Sequence, residues 1–439
     1  MRLTVIGTGY LGATHAACMA ELGHDVLGVD VEPDKAAALQ AGQVPFYEPG
    51  LAEMLARNVA NGRLRFTTSY EEAAEFGEVH FSCVGTPQRP DGMGADLRYV
   101  DAVIESLAPH LRRPTLVVGK STVPVGTAAR LAARLAELAP VGAQAELAWN
   151  PEFLREGIAV QDTLRPDRLV FGIGPGAPAA ERLLREVYAS LLEADVPLVI
   201  TDLPTAELVK SAANAFLATK ISFINAMAEV CEATGADVAQ LSASLSYDTR
   251  IGGRFLHAGV GFGGGCLPKD IRAFRTRAEE LGVGQALSFL REVDAINLRR
   301  RERVLTLADE LCAGELTGRR IAVWGAAFKP DSDDIRDSPA LDIAQQLHRR
   351  GATVSVYDPK AVDNARKKHP ELDYAVGALD AARGADLILH LTEWPEFRAL
   401  DPRAVAEVVA HARIIDGRNI LDAEGWRAAG WTYRALGRP

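Results

Sequence analysis

Cys266 stands at the end of a run of glycines. The segment Gly259-Val260-Gly261-Phe262-Gly263-Gly264-Gly265 leads directly into Cys266-Leu267-Pro268-Lys269-Asp270. Glycines let a chain pass close to a ligand. Pro268 fits the first turn of a helix expected to run through residues 271–281 and to stop at Gly282. Cys266 is therefore expected just before a helix N-terminus with Lys269 nearby, and both features favour the thiolate, the reactive form of the side chain. Asp270 is close enough in sequence to act as a polar partner or to help activate water. Cys18, Cys83, Cys231 and Cys312 have no comparable setting and read as small buried hydrophobes.

Three further clusters carry polar chemistry, each with a plainer alternative. Lys210 and Asn214 are four residues apart on a predicted helix, where an ammonium and an amide could steady one oxyanion; a satisfied polar stripe is the other reading. Glu152 and Glu156, in Asn150-Pro151-Glu152-Phe153-Leu154-Arg155-Glu156-Gly157, would share a face if that segment were helical. Like charges so placed are unfavourable unless a general base or a held water requires them; solvated surface acids are the alternative. Thr122, in Lys120-Ser121-Thr122-Val123-Pro124-Val125-Gly126, follows a strand-like run, where a hydroxyl can serve a ligand or cap a helix.

A dinucleotide fingerprint opens the chain. Gly7-Thr8-Gly9-Tyr10-Leu11-Gly12 follows a strand-like run and begins an alanine-rich helix. The spacing allows a tight turn, backbone approach to a pyrophosphate and close packing of helix on strand. The second strand-like run ends in Asp30, whose carboxylate can accept the ribose hydroxyls and would repel an extra phosphate, so NAD is expected rather than NADP. Lys35 could reach the ribose or simply lie on a solvated helix face.

These residues need scaffolds to hold them. Over the first ~200 residues short apolar runs alternate with helical stretches, the pattern of a parallel sheet covered by helices. From Thr205 to Thr234 one long segment lacks Pro and Gly, with apolar residues at helical spacing that include Leu208, Phe216, Leu217, Ile224 and Val230. A helix apolar on more than one face often buries against a second chain. After a linker at 314–320 the α/β rhythm restarts. The expected architecture is α/β: two Rossmann-like doubly wound domains joined by a long central helical region. The expected boundaries are an NAD-binding domain at 1–204, a central helical and dimerisation domain at 205–316, and a nucleotide-binding-like domain at 317–439.

Composition narrows the class. The 439 residues are 48% hydrophobic and 24% charged, an ordinary globular balance. A net charge of -10 argues against a nucleic-acid partner, which calls for a basic stripe, though local Lys and Arg can still set the field for an anionic small molecule. The five cysteines form no C-x-x-C pair and the nine histidines show no metal-ligand spacing, so neither a disulfide framework nor a metal site is expected. A strand-like run beginning at Leu3 leaves no room for a signal peptide, and no apolar run approaches a membrane span. The expected compartment is a reducing cytoplasm.

Taken in order, these segments resemble the UDP-glucose/GDP-mannose 6-dehydrogenase family over nearly the whole chain. The likeness also takes in Pro45-Phe46-Tyr47-Glu48-Pro49-Gly50-Leu51, Gly85-Thr86-Pro87, Pro166-Asp167-Arg168, Arg250-Ile251-Gly252 and Phe328-Lys329-Pro330-Asp331-Ser332-Asp333-Asp334-Ile335-Arg336. The resemblance implies a four-electron oxidation of a nucleotide sugar, through a thiohemiacetal and a thioester on Cys266. It implies that Lys210 and Asn214 steady the oxyanion while Thr122, Glu156 and Asp270 organise water. Glu152, Phe153, Leu154, Arg155, Glu156, Lys210, Asn214, Phe255, Leu256, His257, Ala258, Gly259, Gly263 and Lys329 would line the nucleotide-sugar site. Thr86, Thr122, Glu156, Lys269 and Arg336 would join Gly7, Gly9, Tyr10, Leu11, Gly12, Asp30 and Lys35 at NAD. Arg250 would reach a substrate across a dimer interface, so a homodimer or higher homo-oligomer is expected. Two departures stand out: Gly265 where many members have Ser, and Ala226 where a Glu is common.

The motifs at 166–168 and 250–252 are more similar to UDP-glucose members, whereas Leu267 is also found in GDP-mannose members, and UDP-N-acetylmannosamine enzymes share many motifs. A two-electron hydroxy-acid dehydrogenase also pairs a Rossmann domain with a helical Lys-x-x-x-Asn, but needs neither Cys266 nor residues 317–439. A non-catalytic NAD-binding protein would not need Cys266, Lys210 and Asn214 together.

Overall fold

The structure, a computed structural model, describes residues 1–439. The chain divides into two compact units, one of residues 1–213 with 272–282 and one of residues 214–271 with 283–439. Two helices, Leu203–Thr234 and Leu267–Glu280, contribute residues to both.

The first unit is built on eight strands: β1 (Arg2–Ile6), β2 (Asp25–Val29), β3 (Leu64–Thr67), β4 (Val79–Ser82), β5 (Thr115–Gly119), β6 (Ala145–Trp149), β7 (Leu169–Ile173) and β8 (Leu198–Thr201). Their order is β3-β2-β1-β4-β5-β6-β7-β8. The order reverses between β1 and its neighbours β2 and β4, which is where doubly wound sheets open a crevice at the strands' carboxyl ends. Every pairing is parallel except β6 with β7, where Trp149 faces Gly172 in antiparallel register. The expected parallel sheet is present, with that one antiparallel pair inside it. Central strands buried on both faces read as continuous apolar runs: Leu3, Val5, Phe81, Leu116 and Val118 pack on one face, and Ile6, Val29, Val117, Leu147 and Trp149 on the other. A Cβ on Gly119 would sit 2.1 Å from the Trp149 ring, so that glycine makes room for the largest core side chain here.

The second unit repeats the plan with β9 (Arg320–Trp324), β10 (Thr353–Tyr357), β11 (Asp373–Tyr374), β12 (Leu387–His390), β13 (Arg413–Asp416) and β14 (Thr432–Ala435), ordered β11-β10-β9-β12-β13-β14 and wholly parallel. Trp324 stacks on Phe397 at 5.6 Å, and its indole N–H donates to Ala378 O at 3.0 Å. The fold is the expected one: two parallel-sheet α/β parts with a helical region between them in sequence.

The central helix Leu203–Thr234 is 32 residues long, and its buried side mixes polar residues with apolar ones such as Ala218, Ile224 and Ala228. Glu207, Lys210, Ser211, Asn214, Ser222 and Asn225 are buried, while Leu208, Phe216, Phe223 and Val230 are exposed. Burial follows hydrogen bonding here: Glu207 accepts from the peptides of Gly126 (2.8 Å) and Ala128 (2.6 Å), and Ser222 donates to Val293 O (2.7 Å). No helix is long and apolar enough to cross a membrane.

At the end of β13, buried Asp416 accepts from the peptides of Arg418, Asn419, Ile420 and Leu421, from the Tyr433 hydroxyl and from His390 Nδ1. Burial by itself would raise its pKa, but the hydrogen bond and charge of His390 and the peptide donors outweigh burial and hold the carboxyl at about 2, from an ordinary 3.8. A depressed carboxyl contributes stability that is present above the unfolded pKa and lost as pH falls through the folded one. Roughly 2 kcal/mol should therefore be lost between about pH 4 and pH 2. Urea titrations across that range should show the loss, and Asp416→Asn should be less stable at pH 7 and flatter with pH.

Candidate active site

In the first unit, the turn after β1 is shaped by two glycines that nothing larger could replace. Gly7 has φ +87°, and its Cβ would meet Val84 at 2.7 Å; a Cβ on Gly12 would lie 1.8 Å from Gly7 O. The helix Tyr10–Glu21 starts there with no side-chain cap from Gly9, leaving its first peptides open to an anion. Asp30, buried at the end of β2, accepts from Thr8 N (2.9 Å), Thr8 Oγ1 (2.8 Å) and Glu32 N (3.1 Å). Burial opposes its charge, yet these bonds with nearby Lys35 keep its pKa below the ordinary value. Lys35 pairs with Glu32 (2.6 Å) and Asp30 (3.5 Å), so it lies against the acid after β2 rather than out in solvent. The glycine cradle, the uncapped helix start and this acid fit a dinucleotide.

Thr86 and Thr122 meet in this unit: the Thr86 hydroxyl donates to Thr122 O at 2.8 Å, joining the loops after β4 and β5. Residues 151–157 do not form the helical turn on which Glu152 and Glu156 would share a face. Glu152 instead accepts from Leu154 N (2.8 Å), Gly157 takes φ +84°, and helix starts only at Ala159. Glu152 forms a largely buried ion pair with Lys210 (3.0 Å). Phe153 lies under the Arg168 guanidinium (3.7 Å), with the Lys210 ammonium 5.7 Å from its centroid. Arg155 is engaged by Asp162 through three bonds, one from its peptide N–H (2.8 Å) and two from its guanidinium (2.9 and 2.6 Å).

In the second unit Cys266 is the exposed member of five cysteines, the other four being buried. It immediately precedes the helix Leu267–Glu280, as expected, so the helix N-terminus favours its thiolate. Asp270, one turn on, donates its peptide N–H to Cys266 O (3.0 Å) and accepts from Asn214 Nδ2 (2.6 Å). Lys269 pairs with Asp270 at 2.5 Å, which directs much of its charge to that carboxylate rather than to the thiol.

The approach to Cys266 is held peptide by peptide. Gly259 N–H donates to Asn225 Oδ1 (2.9 Å), and Ala258 O accepts from Asn419 Nδ2 (3.1 Å). Val260 N–H donates to Gly417 O (2.9 Å), and Gly261 O accepts from Arg418 (3.2 Å). Asn297 grips Phe262 at both its N–H (2.7 Å) and its C=O (2.9 Å). A Cβ on Gly263 would meet Asp337 O at 2.2 Å, one on Gly264 the Phe328 ring at 2.7 Å, and one on Gly265 the Arg336 guanidinium at 2.3 Å. Gly265 thus gives Arg336 its place, and that guanidinium also binds Asp334 through two nitrogens. The ammonium of Lys329 is 5.5 Å from the centroid of the Phe328 ring.

Phe255 takes φ +62°, while Leu256 and Ala258 pack into a core with Ile224, Ala228 and Val238. Those two residues can offer a ligand backbone only. His257 and Arg250 are exposed, and Arg250 forms a bidentate pair with Asp248 (3.0 and 2.6 Å). Sequence reasoning missed Asn225, Asn297, Arg418 and Asn419. The Asp416-Gly417-Arg418-Asn419 turn after a strand could have pointed to the last two; the two helical asparagines carry no local signal. No group of three or more His, Cys, Asp and Glu gathers to hold a metal.

Three domain models of the UDP-glucose/GDP-mannose dehydrogenase family match the chain: the NAD binding domain over residues 1–192, the central domain over 204–299 and the UDP binding domain over 322–423. The chain belongs to this family. Within it, the UDP-glucose 6-dehydrogenase of Rhizobium meliloti is 42% identical over 439 residues, covering all of both chains. That of Pseudomonas aeruginosa is 40% identical over 452 residues, covering 100% of this chain and 98% of the relative. Among solved structures, a UDP-glucose dehydrogenase from Pyrobaculum islandicum superposes with TM-score 0.91 at 38% identity, covering 100% and 98%. A UDP-D-ManNAc dehydrogenase from Pyrococcus horikoshii gives 0.85 at 27%, covering 100% and 99%.

Removing the Asn297 side chain leaves the backbone N–H and C=O of Phe262 without their buried partner. Asn297→Ala should cost roughly 2–3 kcal/mol in a urea melt. It should also slow alkylation of Cys266 by iodoacetamide while NAD affinity stays within about twofold, as expected for a lost positioning contact.

Proposed function

We propose that the protein oxidises the C6 hydroxyl of UDP-glucose to the carboxylate of UDP-glucuronate, using two NAD per sugar. The observation that carries this reading is Cys266, exposed at a helix start with the Asp270–Asn214 pair one turn behind it. A two-electron dehydrogenase needs no such nucleophile. Identity near 40% over the full chain to relatives named UDP-glucose 6-dehydrogenase supports this substrate over GDP-mannose or UDP-N-acetylmannosamine.

NAD, when bound, accepts a hydride in each oxidation. Gly7, Gly9, Tyr10, Leu11 and Gly12 receive its pyrophosphate on backbone N–H groups, and Asp30 with Lys35 takes the ribose. Thr86, Thr122, Glu156, Lys269 and Arg336 complete that role. After the first oxidation the Cys266 thiolate adds to the C6 aldehyde to give a thiohemiacetal. Loss of a second hydride leaves a thioester, and water cleaves the C–S bond to release the acid and the thiol. Lys210 and Asn214 donate to the oxygen that carries negative charge, and Thr122, Glu156 and Asp270 hold the water. Glu152, Phe153, Leu154, Arg155, Phe255, Leu256, His257, Ala258, Gly259, Gly263 and Lys329 receive the nucleotide sugar. The segments 1–204, 205–316 and 317–439 act as cofactor, central and UDP-sugar parts, in keeping with three separate family models.

The working form is a homodimer. Phe216, Phe223 and Val230 recur every seven residues along the central helix and are 68%, 48% and 53% exposed, a seam that a second copy would cover. Arg250 then serves the partner's substrate. A reducing cytoplasm is the compartment, in keeping with five cysteines none of which is linked in a disulfide.

Purified protein with limiting UDP-glucose should form about two NADH per sugar; a ratio near one rejects the thioester scheme, and turnover with GDP-mannose alone changes the substrate. In the same assay Cys266→Ser should bind NAD but release no acid. Light scattering should show a dimer, and Phe223→Asp should convert it to monomer.

A further inference from the structure

The Pro45-Phe46-Tyr47-Glu48-Pro49-Gly50-Leu51 motif has a structural task that the proposed chemistry leaves unexplained. Glu48 is a carboxylate only 4% exposed. Its hydrogen-bond donors are one phenol and three peptide N–H groups, none of them a cation. Oε2 accepts from the Tyr10 hydroxyl and from Gly157 N–H at 2.6 Å. Oε1 accepts from Ala159 N–H at 2.7 Å and weakly from Val160 N–H at 3.5 Å. The Gly157 peptide lies 3.1 Å from the Tyr10 oxygen as well, so phenol, carboxylate and peptide form a closed triangle.

The placement is unusual for a cap. The helix Ala159–Leu164 has Ile158 at its N-cap, which has no side-chain acceptor to give. A Ser or Asp at that position would cap the helix locally. Here the acceptor comes from a distant segment and is shared with the first residue of the dinucleotide helix Tyr10–Glu21. Phe46 of the same motif packs on the Tyr10 ring at 4.9 Å. Burial first, and then the bond and charge of Glu48, raise the Tyr10 pKa far above the ordinary phenol range, so its hydroxyl remains a donor at any working pH. The Glu156 carboxylate is close enough to Tyr10 to add to that shift.

We propose that Glu48 is a positioning residue that ties the segment bearing Glu152 and Glu156 to the dinucleotide turn through Tyr10, so that Glu156 is aligned for water only when that turn is set. The inference rests on the reading of Glu156 as a water-holding residue. It predicts a specific defect. An isosteric amide at position 48 must turn a donor toward groups that already donate, so at least one of the four contacts is lost. The segment then loosens at Gly157, next to Glu156, while the glycines of the turn keep their own geometry.

The test uses full-length Glu48→Gln, Tyr10→Phe and the double variant, with NADH formation followed by stopped flow under saturating NAD and UDP-glucose. In Glu48→Gln the early NADH phase should persist, and the later steady rate, which needs water to cleave the thioester, should fall about tenfold. NAD affinity by fluorescence titration should stay within about threefold. Tyr10→Phe should show the same kind of defect, about threefold, and the double variant should be no slower than Glu48→Gln, the non-additivity expected of residues acting as one unit. Equal slowing of both phases, additive losses, or a steady rate that falls only with the folded fraction by circular dichroism each overturn the proposal. If Glu48→Gln does not fold, an unchanged steady rate in Tyr10→Phe overturns it. A wild-type yield of one NADH per sugar overturns it together with the thioester reading, and is seen before any variant is compared.

Discussion

A buried peptide group must be hydrogen-bonded, and residues 258–264 have neither a helix nor a sheet ladder to do it. Side chains do it instead. Asn225, Asn297, Arg418 and Asn419 each take one or two peptide groups of this stretch, and the glycines let those groups come close enough. The consequence is a reversal of what glycine usually means. A run that would cost most in conformational entropy if left to itself is fixed along its length, and Cys266 emerges from it already placed. Preorganisation of this kind matters because a nucleophile displaced by an ångström loses most of its advantage.

The same rule shapes the turns after the first strand of each sheet. In the first unit Asp30, at the end of β2, accepts from the Thr8 peptide and hydroxyl. In the second unit Asp358, at the end of β10, accepts from the peptides of Ala326 and Ala327 and from the Trp394 indole through one oxygen, and from Lys360 and Ala361 through the other. A strand ending in an acid is therefore, in both units, a device for holding the neighbouring turn. What separates the two units is the turn itself. Gly7, Gly9 and Gly12 bring backbone and helix together in the first, whereas Gly325 is followed by Ala326, Ala327, Phe328 and Lys329 in the second.

This explains which parts of the molecule could be read from its residues. The two α/β rhythms, the dinucleotide turn and the helix starting beside Cys266 are written in local patterns, and they appear where those patterns put them. The antiparallel β6–β7 pair was not legible, because an apolar run carries no sign of its direction. The central helix was legible only as apolar on more than one face. Periodicity does not say which residues face inward, and here polar groups with partners share the interior with Ile224 and Ala228 while Phe216 and Val230 stay exposed. The clamp residues Asn297 and Asn225 were illegible for a third reason: their partners are more than thirty positions away in the chain.

The two ends of the 150–157 segment show how charge is used where no ion pair closes it. At its start, buried Lys120 donates to Asn150 Oδ1 (3.0 Å) and lies 3.4 Å from the Tyr188 hydroxyl, with burial lowering its pKa. At its end, Gly157 donates to buried Glu48. Both ionisable groups are met by neutral partners. An opposite charge at either place would satisfy the ion more fully but would hold the pair to itself. Neutral partners instead bind the ionisable group to the backbone of the segment, so its two ends are pinned by groups whose burial is tolerable only while the segment keeps its course. Glu152 and Glu156 lie between those pins. A loop with no helix or strand of its own thereby gains the rigidity that carboxylates need if they are to meet a substrate in one geometry.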